Sequence, residues 1–183
     1  MNQPPVVAPH IVALGGTTRP QSSTGRALAM ALGLAEARGA RTTLLTGDAI
    51  AFANFEPGSI SGDANVEAFL AALRSADGII IGSPGYHGTF SGMVKNALDH
   101  VELMSGDDRP YFHGMPVGLI ATAAGWQAAV ATLIGLRSIT HALRGWPTPL
   151  GVAINTAEGP DAIPEAEPQM AIMVGQMLDF LGR

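Results

Sequence analysis

The sequence predicts an α/β protein: a doubly wound, five-stranded parallel sheet in the order 2-1-3-4-5, with helices on both faces. Three observations predict it. Short apolar runs alternate with longer segments whose apolar residues recur at helical spacing, the βαβα pattern that builds parallel sheets. The first, third and fourth of those runs are continuously apolar, as strands covered on both faces must be. Two Gly-rich loops follow the first and third runs, which border the switch point of that strand order, where open α/β sheets bind ligands.

The elements follow in order. Residues 1–9 hold three prolines and read as a flexible lead, with one domain over 10–183. His10 to Leu14 (HIVAL) is the first strand. A loop, GGTTRPQSST, covers 15–24. Thr24 to Arg38 reads as a helix, with Leu28, Leu32 and Ala35 on one face and Gly39 as its stop. Arg41 to Thr46 is the second strand. The polar, Gly-rich stretch 47–65 has Phe52 and Phe55 as anchors. Asn65 to Ala76 is a helix whose Val66, Phe69, Leu70 and Leu73 share a face. Gly78 to Ile81 is the third strand, followed by the loop GSPGYHGTFS and a helix over about 92–104. Pro116 to Ala121 is the fourth strand, with a small-residue turn at 122–125. Gln127 to Leu143 is a long apolar helix, Pro149 to Ile154 the fifth strand and Ile163 to Leu181 the closing helix.

Bulk composition narrows the function. The chain has 183 residues, 47% of them hydrophobic, enough for a sizeable core without metals or disulfides. A net charge of −5 with no basic run argues against a nucleic-acid partner. There is no cysteine, which excludes a thiolate nucleophile and Cys-ligated metal. No run is long and apolar enough to span a membrane, and the N-terminus lacks the pattern of a signal peptide, so the expectation is a cytoplasmic protein. With only 14% charged residues, apolar surface is left to cover, which points to self-association.

Three loops hold the chemistry. The first offers hydroxyls from Thr17, Thr18, Ser22, Ser23 and Thr24, the guanidinium of Arg19, and backbone N–H groups where a helix starts. Anions bind where these converge. A Ser/Thr-rich helix cap with a solvated Arg is the alternative. The loop is neither GxxxxGK[ST] nor GxGxxG, so a phosphomonoester fits it better than a pyrophosphate or a nucleoside triphosphate. In the second loop, Pro84 and Gly85 shape a ledge beside Tyr86, His87 and Gly88, against which a planar ligand can lie. His87 is equally readable as an exposed loop residue. No second His or acid stands at metal-ligand spacing, so no metal site is expected. Ser83 lacks the GxSxG elbow of a nucleophile. The third loop, Thr122-Ala123-Ala124-Gly125, has almost no side chain and admits a flat ring or is a plain tight connection. On the helix after the second loop, Asn96 is placed to brace that loop, and Lys95 and Asp99 to pair across one turn.

These residues resemble the NADPH-dependent FMN reductase family of flavodoxin-like proteins. That family's first loop has the form G-[ST]-x-R-x-x-S-x-[STN], matched by Gly16, Thr17, Arg19, Ser22 and Thr24. Its second has the form [ST]-P-x-Y-x-x-x-x-x-G-x-[LV]-K-N-x-[LI]-D, matched by Ser83, Pro84, Tyr86, Gly92, Val94, Lys95, Asn96, Leu98 and Asp99. The resemblance covers about 10–125 and implies a flavodoxin-like domain. It implies that Thr17, Arg19, Ser22, Ser23 and Thr24 hold the FMN phosphate. Pro84, Gly85, Tyr86, His87 and Gly88 would contact the ring and ribityl chain, and Thr122, Ala123 and Gly125 would edge the ring. His87 stands where many members have Asn, Lys or another residue, and the 105–114 loop shows no pattern that maps to a nicotinamide site.

The implied activity is hydride transfer from NADPH or NADH to FMN and on to a small acceptor: free flavin for a partner monooxygenase, a quinone or similar. No side-chain catalyst is assigned, since the flavin carries the chemistry. A homodimer or homotetramer is implied, with the helix around Lys95 to Met104 near its interface. The alternative is a flavodoxin-like electron carrier without its own nicotinamide site. A hydrolase or response-regulator role on the same architecture needs an Asp cluster that the strand ends, Leu14-Gly15 and Ile81-Gly82, do not supply.

Overall fold

The computed structural model describes residues 8–19, 21–58 and 62–182, so most of the expected N-terminal lead lies outside the described residues. Four strands form the sheet's parallel centre: β1 (His10–Gly15), β2 (Arg41–Leu45), β3 (Gly78–Tyr86) and β5 (Pro116–Ala123), in the order β2-β1-β3-β5. The fifth position is shared. β6 (Trp146–Pro147) pairs with the start of β5, and β7 (Val152–Asn155) with its end, both parallel. The expected order 2-1-3-4-5 is thus present, with its last strand divided. The strand expected at 149–154 begins only at Val152, because residues 149–151 leave the ladder after Thr148 N–H donates to Val117 O (2.9 Å). Arg137 donates to the carbonyls of Thr148 (3.0 Å) and Pro149 (2.9 Å), and Gln176 accepts from the N–H of Leu150 (2.9 Å).

Strand alternation sorts the core onto two faces. Ile11, Ala13, Ile80 and Ile120 pack with α1 (Ser23–Glu36) and α6 (Glu167–Phe180). Val12, Leu14, Ile79, Ile81, Val117 and Leu119 pack with α2 (Ala64–Arg74), α3 (Gly92–Asp99) and Leu136 of α4 (Trp126–Ala142). Local signals set the helix starts: Ser22 accepts from Gly25 N–H (3.1 Å) at α1, and Asp63 from Asn65 N–H (2.8 Å) at α2.

Two expected helices divide. The one over 92–104 is α3 followed by a 3-10 turn, His100–Met104, and the closing one is α5 (Ala162–Glu165) followed by α6. Pro168, at the second position of α6, fits a helix start and not an interior.

Candidate functional site

The first loop is fixed to the end of β3 by backbone. Gly16 N–H donates to Gly82 O (3.2 Å). At Gly15 (φ 137°) any Cβ would lie 1.8 Å from that same oxygen. Only glycine fits so close an approach. The loop then rises into α1, whose first N–H groups have no intrahelical acceptor. Ser22 caps the helix as an acceptor and keeps its hydroxyl proton free to donate. Thr17 Oγ1 accepts from Arg19 N–H (3.1 Å). Among the described residues, the side chains of Thr18, Arg19, Gln21 and Ser23 have no protein hydrogen-bond partner.

The second loop is largely strand. β3 continues through Pro84, which pairs with Thr122 of β5, and turns back as β4 (Thr89–Phe90). His87 (φ 50°) and Gly88 (φ 91°) form the two-residue turn, both in the left-handed region, as in a type I′ hairpin. Ser83 locks the hairpin's base. Fully buried, its hydroxyl donates to Pro84 O (2.9 Å) and accepts from Ser91 N–H (2.9 Å), which leaves it no role as a nucleophile. The hairpin rests on α4 at two glycines. A Cβ at Gly135 would lie 2.9 Å from the Phe90 ring, and one at Gly85 would lie 2.7 Å from Thr132 Oγ1.

The third loop follows β5 and ends at Gly125 (φ 136°), which precedes α4. It is tied to the segment after β7: Trp126 Nε1 donates to Glu158 (2.7 Å), as does Asn155 Nδ2 (3.2 Å). The first and third loops meet in a buried hydroxyl pair, Thr24 Oγ1 with Thr122 Oγ1 at 2.6 Å.

Together the loops enclose a cavity of about 640 Å³. Thr17, Arg19, Ser22, Ser23 and Thr24 of the first loop line it together with Pro84, Gly85, Tyr86, Thr122 and Ala123 of the other two. Three expected site residues stand apart: His87 and Gly88 form the hairpin's exposed tip, and Gly125 lies just past the lining. Thr156, after β7, also lines the cavity, as does Gln21. Their signal in the sequence was slight: a hydroxyl residue just past the last strand, and a polar residue in the Ser/Thr loop.

Asn96 braces a different segment from the expected one. Its Oδ1 accepts from Phe55 N–H (2.8 Å), and its Nδ2 donates to Ala53 O (2.9 Å) and Phe52 O (3.2 Å). The rings of Phe52 and Phe55 bracket His100 at 5.0 and 5.4 Å, so both anchor as expected. Lys95 and Asp99 do pair (2.5 Å), half exposed, a contact worth a few tenths of a kcal/mol.

The site brings hydroxyls, a guanidinium and helix N–H groups of the first loop together with Pro, Gly, Ala and Tyr86 of the other two. The donors of the first loop suit a phosphomonoester and the small residues of the other two a flat ring, and the volume falls within the ~300–1,000 Å³ usual for ligand pockets. Such a site, at the switch point between β1 and β3, defines a flavodoxin-like α/β protein. One solved structure of similar fold is FerB, a flavoenzyme NAD(P)H:(acceptor) oxidoreductase from Paracoccus denitrificans: TM-score 0.76, 19% identity, 96% of this chain and 98% of that one. Another is a cysteine-to-alanine mutant of flavodoxin from Pseudomonas aeruginosa: TM-score 0.64, 14% identity, 92% of this chain and 99% of that one.

The model of the NADPH-dependent FMN reductase family matches residues 9–159, and the chain belongs to that family. Among curated relatives, an FMN-dependent NADPH-azoreductase from Staphylococcus haemolyticus is 34% identical over 94 residues, 51% of this chain and 46% of the relative. The chain thus aligns with about half the length of such relatives.

Proposed function

We propose that this protein binds FMN in the 640 Å³ cavity and works as an NAD(P)H-dependent flavin oxidoreductase. The observation that carries this reading is the meeting of a phosphate-type donor set and a flat, small-residue wall in one cavity. When bound, FMN supplies hydride-accepting chemistry that no side chain here provides. The protein's part is to hold and orient. Arg19, the hydroxyls of Thr17, Ser22 and Ser23, and the N–H groups of the first turn of α1 neutralise the phosphate. The Thr24–Thr122 pair keeps one hydroxyl proton to donate, since a single bond between them uses only one of two. Pro84, Gly85 and Ala123 leave space for the ring, and Tyr86, 52% exposed, flanks the mouth. NADPH is the proposed donor, with NADH as its variant, and a small molecule such as a quinone, an azo compound or free flavin for a partner monooxygenase is the acceptor.

The proposal includes a cytoplasmic location and self-association as a homodimer or homotetramer. No helix among the described residues is long and apolar enough to cross a membrane. The helix expected at the interface buries Val94, Ala97, Leu98, Val101 and Met104 in its own core. Exposed apolar side chains occur elsewhere, and on α4 three of them, Trp126, Val130 and Ile134, recur every fourth residue. Light scattering on Ile134→Lys checks this face: a monomer supports it, and an unchanged mass removes it.

The test of the activity is a titration with FMN followed by NADPH oxidation in the presence of a quinone. Tight FMN binding with steady NADPH consumption is expected. Loss of both ends the proposal. FMN binding with a stable half-reduced form and no direct NADPH oxidation favours the electron carrier.

A further inference from the structure

The cavity read as the flavin site does not end at the first loop. A side cavity of about 360 Å³ adjoins it, and Ser23 and Thr156 line both. Its other walls are Arg26, one turn further along α1, and Pro160, Ala162 and Ile163 on the segment that runs from β7 into α5.

Two features suit it to a ligand. The first is charge. The lining holds one guanidinium and no carboxylate, in a chain of net charge −5. A long bond from Arg26 Nη2 to Pro160 O (3.4 Å) sets the guanidinium at the wall of this cavity. That bond uses one of its five N–H donors, and among the described residues Arg26 enters no salt bridge. Glu158, on the same segment, is held instead by Trp126 Nε1 (2.7 Å) and Asn155 Nδ2 (3.2 Å). The second feature is open apolar surface. Pro160 is exposed, and at Gly159 (φ 127°), also in the lining, a Cβ would meet nothing within 4 Å. A flat group can lie against that bare backbone and the proline ring.

Ser23 closes the set of hydroxyls read as phosphate donors and opens the side cavity. A phosphate held by that set can therefore carry a second phosphate, joined through an anhydride oxygen, on the side where Arg26 stands. The anhydride shares the charge between the two phosphates, and each then pairs with a guanidinium of its own, Arg19 at the first and Arg26 at the second. We propose that the side cavity takes the second phosphate and the adenosine of flavin adenine dinucleotide, so that the site accepts FAD as well as FMN. The ribose meets Thr156 and the backbone of Gly159, and the purine covers Pro160. The inference rests on the reading of the first cavity as the flavin site. The pattern of the first loop provides for one phosphate; Arg26 and the segment after β7 provide for the rest.

The test is a calorimetric titration of flavin-free protein with FMN and, separately, with FAD. FAD is expected to bind within about tenfold of FMN. Arg26→Gln and Pro160→Asp, both at exposed positions, are each expected to weaken FAD about tenfold, the scale of a charged hydrogen bond, and FMN less than about twofold. The inference is overturned if FAD binds more than about tenfold more weakly than FMN, or if neither variant changes the ratio of the two affinities. Protein that binds FMN and not FAD loses this inference and keeps the flavin reading. Protein that binds neither loses both. Protein that binds FAD and not FMN keeps both, with the side cavity supplying most of the grip.

Discussion

The two ends of the sheet share strands but use their polar groups in opposite ways. At the end where the strands begin, polar groups are spent on the protein itself. The buried His10 ring bonds Thr43 Oγ1 (2.8 Å) and Ser75 O (3.2 Å), while the backbone N–H of His10 donates to Asp77 Oδ2 (2.8 Å). Arg109 donates to the carbonyls of Leu73 (3.1 Å), Arg74 (2.8 Å) and Ala76 (2.8 Å), which closes the C-terminus of α2. At the other end, Thr18, Arg19, Gln21 and Ser23 leave their side chains without protein partners among the described residues, around a cavity. One end is satisfied scaffold and the other is held ready for a ligand. Substitutions at the first should therefore change stability alone, and at the second FMN affinity alone.

The largest effect is expected where the two roles merge. Gly15 belongs to the site end, yet its backbone touches β3 so closely that Gly15→Ala puts a methyl inside the van der Waals radius of Gly82 O. The φ of 137° adds strain for any L side chain. A loss of about 4 kcal/mol or more, seen as insoluble or unfolded protein by circular dichroism, is expected. A folded variant with normal FMN affinity would show that the loop can move away from β3.

His10→Leu tests the scaffold end. It removes the ring's bonds to Thr43 and Ser75 at a position 3% exposed. The expected cost is about 1–3 kcal/mol in denaturant unfolding, with FMN affinity unchanged. Arg19→Ala is the mirror case. The guanidinium is exposed and bonds nothing within the described protein, so stability should stay within about 0.5 kcal/mol. FMN affinity should fall by about 1–3 kcal/mol in a titration. If Arg19→Ala destabilises the fold and spares FMN binding, the contrast between the ends is wrong.

Much of this contrast was legible in the sequence, and the exceptions have physical causes. The strands and helices of the sheet's centre were readable because burial on both faces leaves unbroken apolar runs. Glycine and serine at 15–24 marked the first loop for the same reason that they form it: a close backbone contact and a helix cap. The continuation of β3 was not readable. Gly82, Pro84 and Gly85 are turn residues by local preference, and only their pairing with β5 and β4 makes them strand. His87-Gly88 did contain a signal, a residue plus glycine between short runs, the pattern of a two-residue hairpin turn. Thr156 joins the cavity through the course of the chain after β7, which no local pattern encodes. Thr24 and Thr122 lie 98 residues apart; each was readable as a hydroxyl at the site, but not that they bond one another.

That pair gives a smaller, two-sided effect. Thr24→Val leaves Thr122 without its buried partner and is expected to cost about 1 kcal/mol of stability. Thr24→Val with Thr122→Val should cost less than the two single changes added, because both remove the same bond. Additive costs in denaturant unfolding would mean that the hydroxyls do not depend on each other.

His87 carries the smallest expected effect, and it separates backbone shape from ligand contact. At φ 50° it sits in a region that Asn tolerates better than most residues, at the tip of a turn that favours Asn-Gly. Its side chain is exposed and lies outside the cavity lining. His87→Asn should thus hold or raise stability by no more than about 0.5 kcal/mol and leave FMN affinity within about twofold. His87→Val, which keeps no polar group and resists the left-handed region, should lose about 1 kcal/mol or more. If FMN affinity instead falls by tenfold in His87→Asn, with the turn intact, the imidazole reaches the ligand. The hairpin tip would then belong to the binding end of the molecule and not to its frame.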